Sequence, residues 1–219
     1  MLSAGFHSEI WPAFGHNTAM PKTTHPTKSS LIECAADLLD KYRFDEITVE
    51  MVLDRSGVSK GSLYHHFEDL DELIEAALIQ RYARWVDASI ELMTHLLTSS
   101  ASSDDIYSGL TGITRSTQSD EFKAERLKRI DVLSRAGSST RFAKLLGEEQ
   151  QRLTDALTDL IREAQERDFY KKEVDARAIA VFIQAYTVGK IVDDFNENKV
   201  DPEEWVNLIN LVIKTVFIK

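Results

Sequence analysis

Twenty residues near the N-terminus, 48–67 (TVEMVLDRSGVSKGSLYHHF), constrain the fold more than any other part of the chain. A short helix pattern runs from Thr48 to Arg55 and ends before Gly57, which can adopt a left-handed conformation because it has no Cβ. A second helix starts at Ser59, whose hydroxyl can accept a hydrogen bond from an N–H group at the helix start. Two helices joined by so short a turn predict a helix-turn-helix.

The second helix of this pair has one apolar side and one polar side. Leu63 and Phe67 lie four residues apart, so they share a face that would pack on the core. The other positions carry short, polar or aromatic side chains, and the small ones would let the helix approach the floor of a DNA groove: Lys60, Gly61, Ser62, Tyr64, His65 and His66. This pattern is typical of a helix that reads DNA.

Over residues 30–73 the chain resembles the TetR family of bacterial transcriptional regulators, and VSKGSLYHHF is close to the family's usual recognition helix. The resemblance implies an all-α protein with an N-terminal helix-turn-helix domain of three helices and a C-terminal helical domain for ligand binding and dimerisation. It implies a homodimer that binds a palindromic double-stranded DNA operator, most often as a repressor, until a small-molecule effector releases it. Family members touch DNA at the positions of Thr48, Ser59, Lys60, Gly61, Tyr64 and His65.

Three residues depart from the family's usual sequence. Arg43 stands where a glycine commonly closes the first helix, so we expect either a strained backbone or a different helix end. Leu53 replaces a residue that is more often alanine, where two helices approach closely. Leu70, among the acidic residues 68–72, stands where a lysine often binds a phosphate. This last difference leaves an alternative open, a helical ligand-binding or interaction protein that no longer reads DNA specifically.

Composition agrees with a packed helical protein. The 219 residues are 43% hydrophobic with 9 Gly and 4 Pro, and they show no sustained alternation or Asn-Gly turn that would predict strands. The net charge of −10 argues against a protein that coats nucleic acid nonspecifically. It does not exclude specific DNA binding, because the local placement of charges matters more than their sum. Residues 55–67 contain no acid, and the acidic residues on either side would confine DNA contact to a narrow area.

The sequence predicts no catalytic site, cofactor or metal. It lacks a phosphate-binding glycine loop, an HExxH motif, paired cysteines and a nucleophile elbow. His65 and His66 point about 100° apart on a helix and cannot chelate one ion. The single cysteine, Cys34, excludes an intrachain disulfide and fits a reducing cytoplasm. No apolar run approaches the length of about 18 residues that a membrane-spanning helix needs.

Residue patterns divide the chain into three parts. Residues 1–28 have no period and predict a disordered arm, in which Lys28 could reach the DNA backbone. Residues 29–68 form the DNA-binding domain, whose first helix opens at the capping box Ser30-x-x-Glu33. Residues 69–219 form the effector-binding and dimerisation domain, with helices expected at Asp69–Leu97, Ile106–Thr114, Asp120–Arg135, Arg141–Arg167, Val174–Asn196 and from Asp201 onward with Pro202 in the first turn.

The last two helices have apolar stripes that are too wide for a single packing face. One side can pack within the subunit and the other against a second copy, which the family resemblance also implies. The residues predicted to lie at this dimer interface are Ile183, Trp205, Ile209, Val212 and Val216. A thicker core within one chain is the alternative explanation of the same stripes.

The middle helices are expected, by the resemblance, to enclose a pocket for the effector. The candidate lining residues are aromatic or apolar side chains: Trp85, Met93, His95, Tyr107, Phe122, Leu133, Phe142, Phe182 and Tyr186. For each of them plain core packing is the competing interpretation. Such a lining would suit an apolar or aromatic molecule, and no charged residue stands out as its partner.

Overall fold

The computed structural model describes residues 26–219, and nearly all of the secondary structure in this range is helical. The α-helices of this range are α1 Pro26–Leu38, α2 Val49–Ser56, α3 Lys60–His66, α4 Leu70–Ser99, α5 Ser103–Gln118, α6 Lys123–Arg135, α7 Thr140–Glu166, α8 Ala176–Gly189 and α9 Pro202–Val212. Tight 3-10 turns occur at Phe44–Glu46 and Lys190–Val192, and a π-helical turn at Ile213–Phe217 follows α9. The all-α fold predicted from the sequence is confirmed.

Side-chain caps explain where the best-predicted helices begin. The Asp201 carboxylate accepts the N–H groups of Glu203 and Glu204 at 2.9 and 3.1 Å, and Pro202 occupies the first turn of α9. Asp69 caps α4 by accepting the N–H of Glu72 at 2.7 Å. A cap that accepts an otherwise unpaired N–H fixes a helix start from local sequence alone. The predicted starts of α4 and α9 are therefore confirmed.

The first helix begins earlier than its sequence predicts. It includes Pro26, and a proline suits the first helical turn because it has no N–H group to leave unpaired. Ser30 and Glu33 lie inside the helix, so the predicted capping box is wrong as its start. Residues 26–28 of the predicted arm are helical, and the rest of that arm, residues 1–25, lies outside the described part of the chain.

Two later helices also differ in length from the prediction. Helix α5 starts at Ser103, because Ser102 accepts the N–H of Asp105 and caps it there. Helix α8 ends at Gly189 instead of near residue 196, and a 3-10 turn follows it. The chain turns inward after this point, which buries Asp194 completely against α6.

The first three helices share one core with the start of α4. Helix α1 lies along α4 and contacts α2 and α3. The most deeply buried residues of this core, each at most 2% exposed, include Leu31, Val52, Leu63, Phe67 and Leu73. Because Leu73 belongs to α4, the predicted domain boundary after residue 68 falls at a helix that both parts use. We call α1–α3 with the first turns of α4 the head, and the remainder the body.

The connection between α1 and α2 adopts an ordinary conformation. Helix α1 ends at Leu38, and Arg43 has φ −68° and ψ 155°, an extended geometry that any residue adopts. The backbone N–H of Arg43 donates to Glu46 at 2.7 Å. The departure at Arg43 therefore changes where the helix ends and stores no backbone strain. Leu53, the second departure, is half-buried against the head core.

The body is a helical bundle built on α4. This helix has 30 residues, about 45 Å of length, and packs along α1 at one end and α7 beyond it. Helix α7 packs in turn on α8, and α9 packs on α5. Within residues 26–219, every helix is too short or too polar to cross a bilayer.

Candidate nucleic-acid interface and ligand cavity

The turn between α2 and α3 has the geometry that the sequence predicts. Gly57 has φ 66° and ψ 10°, the left-handed region that favours glycine, and its N–H donates to the carbonyl of Leu53 at 2.9 Å. Ser59 caps α3 by accepting the N–H of Ser62 at 3.2 Å. Thr48 caps α2 by accepting the N–H of Met51 at 3.4 Å. Both hydroxyls keep their own hydrogen to donate.

Helix α3 presents a polar face away from the head core. Leu63 and Phe67 are buried as predicted. All six residues predicted to touch DNA are exposed: Thr48, Ser59, Lys60, Gly61, Tyr64 and His65. A Cβ at Gly61 would meet no atom within 4 Å, so packing within the subunit does not require a glycine there. The small surface at Gly61 is instead available for close approach by a groove.

Three basic residues near α3 differ in how much uncompensated charge they can offer to DNA. The Nη2 atom of Arg55 lies 2.5 Å from the Asp37 carboxylate, so much of its charge is compensated. Lys60 forms no ion pair with any residue in the range 26–219. Lys28 lies on the first turn of α1, with Nζ 5.2 Å from the centre of the Phe67 ring, instead of on a flexible arm. The charge of Lys28 therefore lies beside the end of α3.

The acidic residues after α3 have structural partners. Glu72 accepts the N–H of Glu68 at 2.6 Å, and Asp69 accepts the N–H of Glu72. Asp71 lies 3.4 Å from Nη2 of Arg135 on α6. Leu70, the third departure from the family pattern, is half-buried against the core. These residues stabilise the start of α4, where the helix dipole favours acids.

A small cavity lies between α4, α6, α7 and α8. Its volume is about 10 Å³, and its lining is apolar apart from a few convergent polar groups: Trp85, Ser89, Met93, Arg129, Leu153, Leu157, Ile183, Gln184 and Thr187. An adjoining cavity of about 20 Å³ is lined by apolar groups apart from Tyr170 and shares Met93 and Leu157 with the first. Each volume is close to the space that one water molecule requires.

Arg129 is the charged group of this cavity. Its Nη1 donates to the Thr187 hydroxyl at 3.1 Å, and its guanidinium lies 4.2 Å from the centre of the Trp85 ring. Its Nε has no hydrogen-bond partner. Burial lowers the pKa of Arg129 to about 10, so it stays protonated at neutral pH. Sequence reasoning missed Arg129 because Lys128-Arg129 resembles an ordinary charged helix surface.

Only two predicted pocket residues, Trp85 and Met93, line this cavity. Phe142 is fully buried in the core, and the Tyr186 hydroxyl is 3.1 Å from that of Thr114. The Phe182 ring packs edge-on against Phe217, 5.3 Å away. The remaining four residues lie at least partly at the surface and outside the cavity lining: His95, Tyr107, Phe122 and Leu133. These seven residues lie outside the lining of this cavity, and their contact with an effector stays a prediction.

A larger open cleft of about 280 Å³ lies where the head meets the body. The α1–α2 connection forms one wall, from Leu39 to Glu46, and α4 and α6 form the other. An ion pair of 2.8 Å joins Asp40 to Arg81 of α4 across this junction. The Arg135 guanidinium lies 4.9 Å from the centre of the Phe44 ring. Both α4 and α6 therefore contact the head directly.

The predicted dimer residues divide into buried and exposed positions. Ile183 and Ile209 are 6% and 5% exposed, so each packs almost entirely within its own subunit, and contact with a second copy stays a prediction for both. Trp205 is half-buried, and its Nε1 donates to Gln118 on α5 at 2.8 Å; Val212 is also half-buried. The large apolar side chains that are exposed on α8, α9 and the segments beside them are Val181, Val192, Phe195, Val200, Leu208, Leu211 and Val216.

Known proteins share both the sequence pattern and the fold. The profile of "Bacterial regulatory proteins, tetR family" matches residues 31–77. The HTH-type transcriptional regulator UidR of Escherichia coli is 18% identical over 176 residues, which covers 80% of this chain and 84% of UidR. The nucleoid occlusion factor SlmA of Alteromonas mediterranea is 27% identical over 186 residues, covering 79% and 85% of the two chains. The structure of GusR from Salmonella enterica matches with a TM-score of 0.61 and 19% identity over 89% of this chain and 97% of GusR.

Proposed function

The chain belongs to the TetR family of bacterial transcriptional regulators and is a DNA-binding regulator; on this premise we propose that two copies bind a palindromic operator and that a small-molecule effector releases them. The regulator represses its target genes by occupying the operator, and it works in the cytoplasm, where bacterial DNA lies. The observation that supports operator binding most directly is the exposed polar face of α3, supported from behind by buried Leu63 and Phe67.

In this proposal each side chain on the α3 face has a separate task. Lys60 and His65 face base edges or phosphates, while the hydroxyls of Tyr64 and Thr48 donate to phosphate oxygens. Gly61 lets the helix approach the groove floor. The capped start of α2 at Thr48 adds the positive end of a helix dipole. Two heads related by a two-fold axis would contact successive major grooves, about 34 Å apart.

A second copy of the chain is the proposed partner of the exposed apolar side chains on α8 and α9. Leu208 and Leu211 lie three residues apart on one side of α9 and are both more than half exposed. Single exposed leucines are ordinary on a protein surface, but a group of them on adjoining elements marks an interaction site. A palindromic operator also requires two heads in a symmetric arrangement.

Replacing Leu211 by glutamate tests this interface. We expect a folded monomer, because the Leu211 side chain is 58% exposed in the subunit and a carboxylate there is harmful only when a partner covers it. Ile209→Glu should instead unfold the subunit, because Ile209 lies in its core. Thr94→Glu on the exposed side of α4 is the control for added charge. Light scattering and circular dichroism separate these results, and a stable Leu211→Glu dimer would exclude this surface.

Effector binding in the body is proposed to reach the head through α4. Trp85 lines the cavity, and Arg81, one turn earlier on the same helix, pairs with Asp40 of the head at 2.8 Å. A displacement of α4 at Trp85 would therefore change the position of the head. The effector can shift this equilibrium only by binding one arrangement more tightly than the other.

A gel-shift assay with DNA from upstream of the protein's own gene tests operator binding. Lys60→Ala should weaken binding by about 1 kcal/mol and reduce the salt dependence by about one counterion. Lys144→Ala, which removes a lysine exposed on α7, is the matched control and should bind normally. Equal affinity of both variants would remove Lys60 from the interface. Failure of the wild type to bind any upstream DNA would favour the alternative of a ligand-binding protein without DNA recognition.

A further inference from the structure

Arg129 is a buried positive charge that no carboxylate compensates within residues 26–219. It is 4% exposed, and its hydrogen bond to Thr187 leaves Nε without a partner. The other buried arginines of the body and junction are paired: Arg126 with Asp194 and Arg81 with Asp40. Arg129 thus differs from arginines that serve the packing of this chain.

The Arg129 charge is costly to the isolated subunit. Burial disfavours a charged group unless it is paired, and Arg129 retains its proton at neutral pH. The ring face of Trp85 and one hydroxyl provide partial compensation. An apolar side chain of similar length would pack in the same place without this cost. An anion that enters the cavity would convert the unpaired charge into a hydrogen-bonded ion pair.

The apolar lining of the neighbouring cavity indicates the chemistry of the part of the ligand that lies away from Arg129. Met93 and Leu157 separate the Arg129 cavity from the second one, whose lining includes Leu96 and Leu160. Methionine has a flexible, unbranched side chain, so a change in the conformation of Met93 would join the two spaces. The joined cavity would have a cationic end at Arg129 and an apolar end beyond Met93.

We propose that Arg129 binds the carboxylate of a small monocarboxylic acid whose apolar tail displaces Met93 and extends into the second cavity. This inference rests on the proposed effector site in the body and names its ligand class; it replaces the purely apolar or aromatic effector expected from the sequence. The ligand must widen cavities of about 10 and 20 Å³. Widening them separates α4 from α6 and α7, and both α4 and α6 contact the head.

Thermal unfolding of the full chain with hexanoate and with hexanamide tests the anion site. The two molecules have similar tails, but only hexanoate carries a charge. Hexanoate at about 5 mM should raise the melting temperature of the wild type by roughly 2 to 4 °C, and hexanamide should have little effect. Arg129→Met should lose the response to hexanoate, whereas Arg162→Met, which removes an exposed arginine of α7, should keep it.

A second measurement needs no ligand. Because no carboxylate pairs with Arg129 within residues 26–219, Arg129→Met should melt at the same or a higher temperature than the wild type without additives. A clearly lower melting temperature would mean that Arg129 is a structural residue and would overturn the proposal. Equal stabilisation by hexanoate and hexanamide, an undiminished hexanoate response of Arg129→Met, or no response of the wild type would also overturn it.

Operator binding distinguishes this inference from the proposed function. Release of the wild type from operator DNA by hexanoate supports both the anion site and effector release. Stabilisation by hexanoate without release supports the anion site and counts against effector release through this cavity. Release by hexanamide alone supports an effector site but overturns the role of Arg129.

Discussion

Replacing Asp194 by asparagine tests the buried ion pair that links α6 to the segment after α8. Both side chains of the Arg126–Asp194 pair are fully buried, and two hydrogen bonds of 2.9 and 2.8 Å join them. Arg126 also donates to the carbonyls of Thr117 and Ser119 at 2.8 and 3.0 Å. Asp194→Asn removes the charge and leaves the guanidinium buried without a counter-charge. Breaking a buried pair in this way costs about 3 to 5 kcal/mol.

The cost can be measured by thermal unfolding at a fixed protomer concentration. Since about 1 kcal/mol shifts the melting temperature of a protein of this size by about 2 to 4 °C, we expect a loss of roughly 10 °C. Asp159→Asn, which breaks the exposed pair with Arg162, is the control and should cost less than about 1 kcal/mol. The double variant Arg126→Met with Asp194→Leu removes both charges and should recover much of the stability. Equal losses for Asp194→Asn and Asp159→Asn would refute the argument from burial.

The same pair predicts a dependence on pH. Burial acts to raise the pKa of Asp194, but the hydrogen bond and the charge of Arg126 outweigh it and leave the pKa below that of an ordinary aspartate. A carboxyl with a lowered folded-state pKa adds stability that is complete above its unfolded value, about 3.9, and is lost as the pH falls through the folded value. The stability difference between wild type and Asp194→Asn should therefore be constant near neutral pH and shrink below about pH 4.

Two further predictions concern the head. Gly57→Val should destabilise the protein by about 1 to 2 kcal/mol and abolish operator binding, because φ is 66° at this position. Dimerisation in size-exclusion chromatography should persist. Gly57→Asn should lose less stability, because asparagine tolerates this conformation. No atom lies within 4 Å of the missing Cβ, so a large loss in Gly57→Asn would contradict a purely conformational cause. Tyr64→Phe should weaken operator binding by about 1 kcal/mol without changing the melting temperature, because the ring is exposed; unchanged affinity in a gel shift would exclude a phosphate contact from its hydroxyl.

The head could be predicted from the sequence because its determinants are local. Gly57 provides the left-handed turn, and Ser59 accepts a hydrogen bond from a residue three positions later. Asp69 and Asp201 cap their helices over the same short distance. Each of these interactions lies within one turn of chain, so residue type and spacing are sufficient to specify it. The sequence misplaces the start of α1 because a plausible capping box at Ser30 lies inside a helix that already includes Pro26.

Only the tertiary structure decided the roles of the charged and apolar residues in the body. Arg126 meets Asp194 across 68 positions and Arg129 meets Thr187 across 58, so no local pattern distinguishes them from solvated arginines. The wide stripe of α9 likewise contains Leu208 and Ile209, and the direction in which the helix packs on α5 exposes the first and buries the second. A periodic sequence specifies how wide an apolar face is, but the packing of distant helices fixes which part of that face the subunit itself covers.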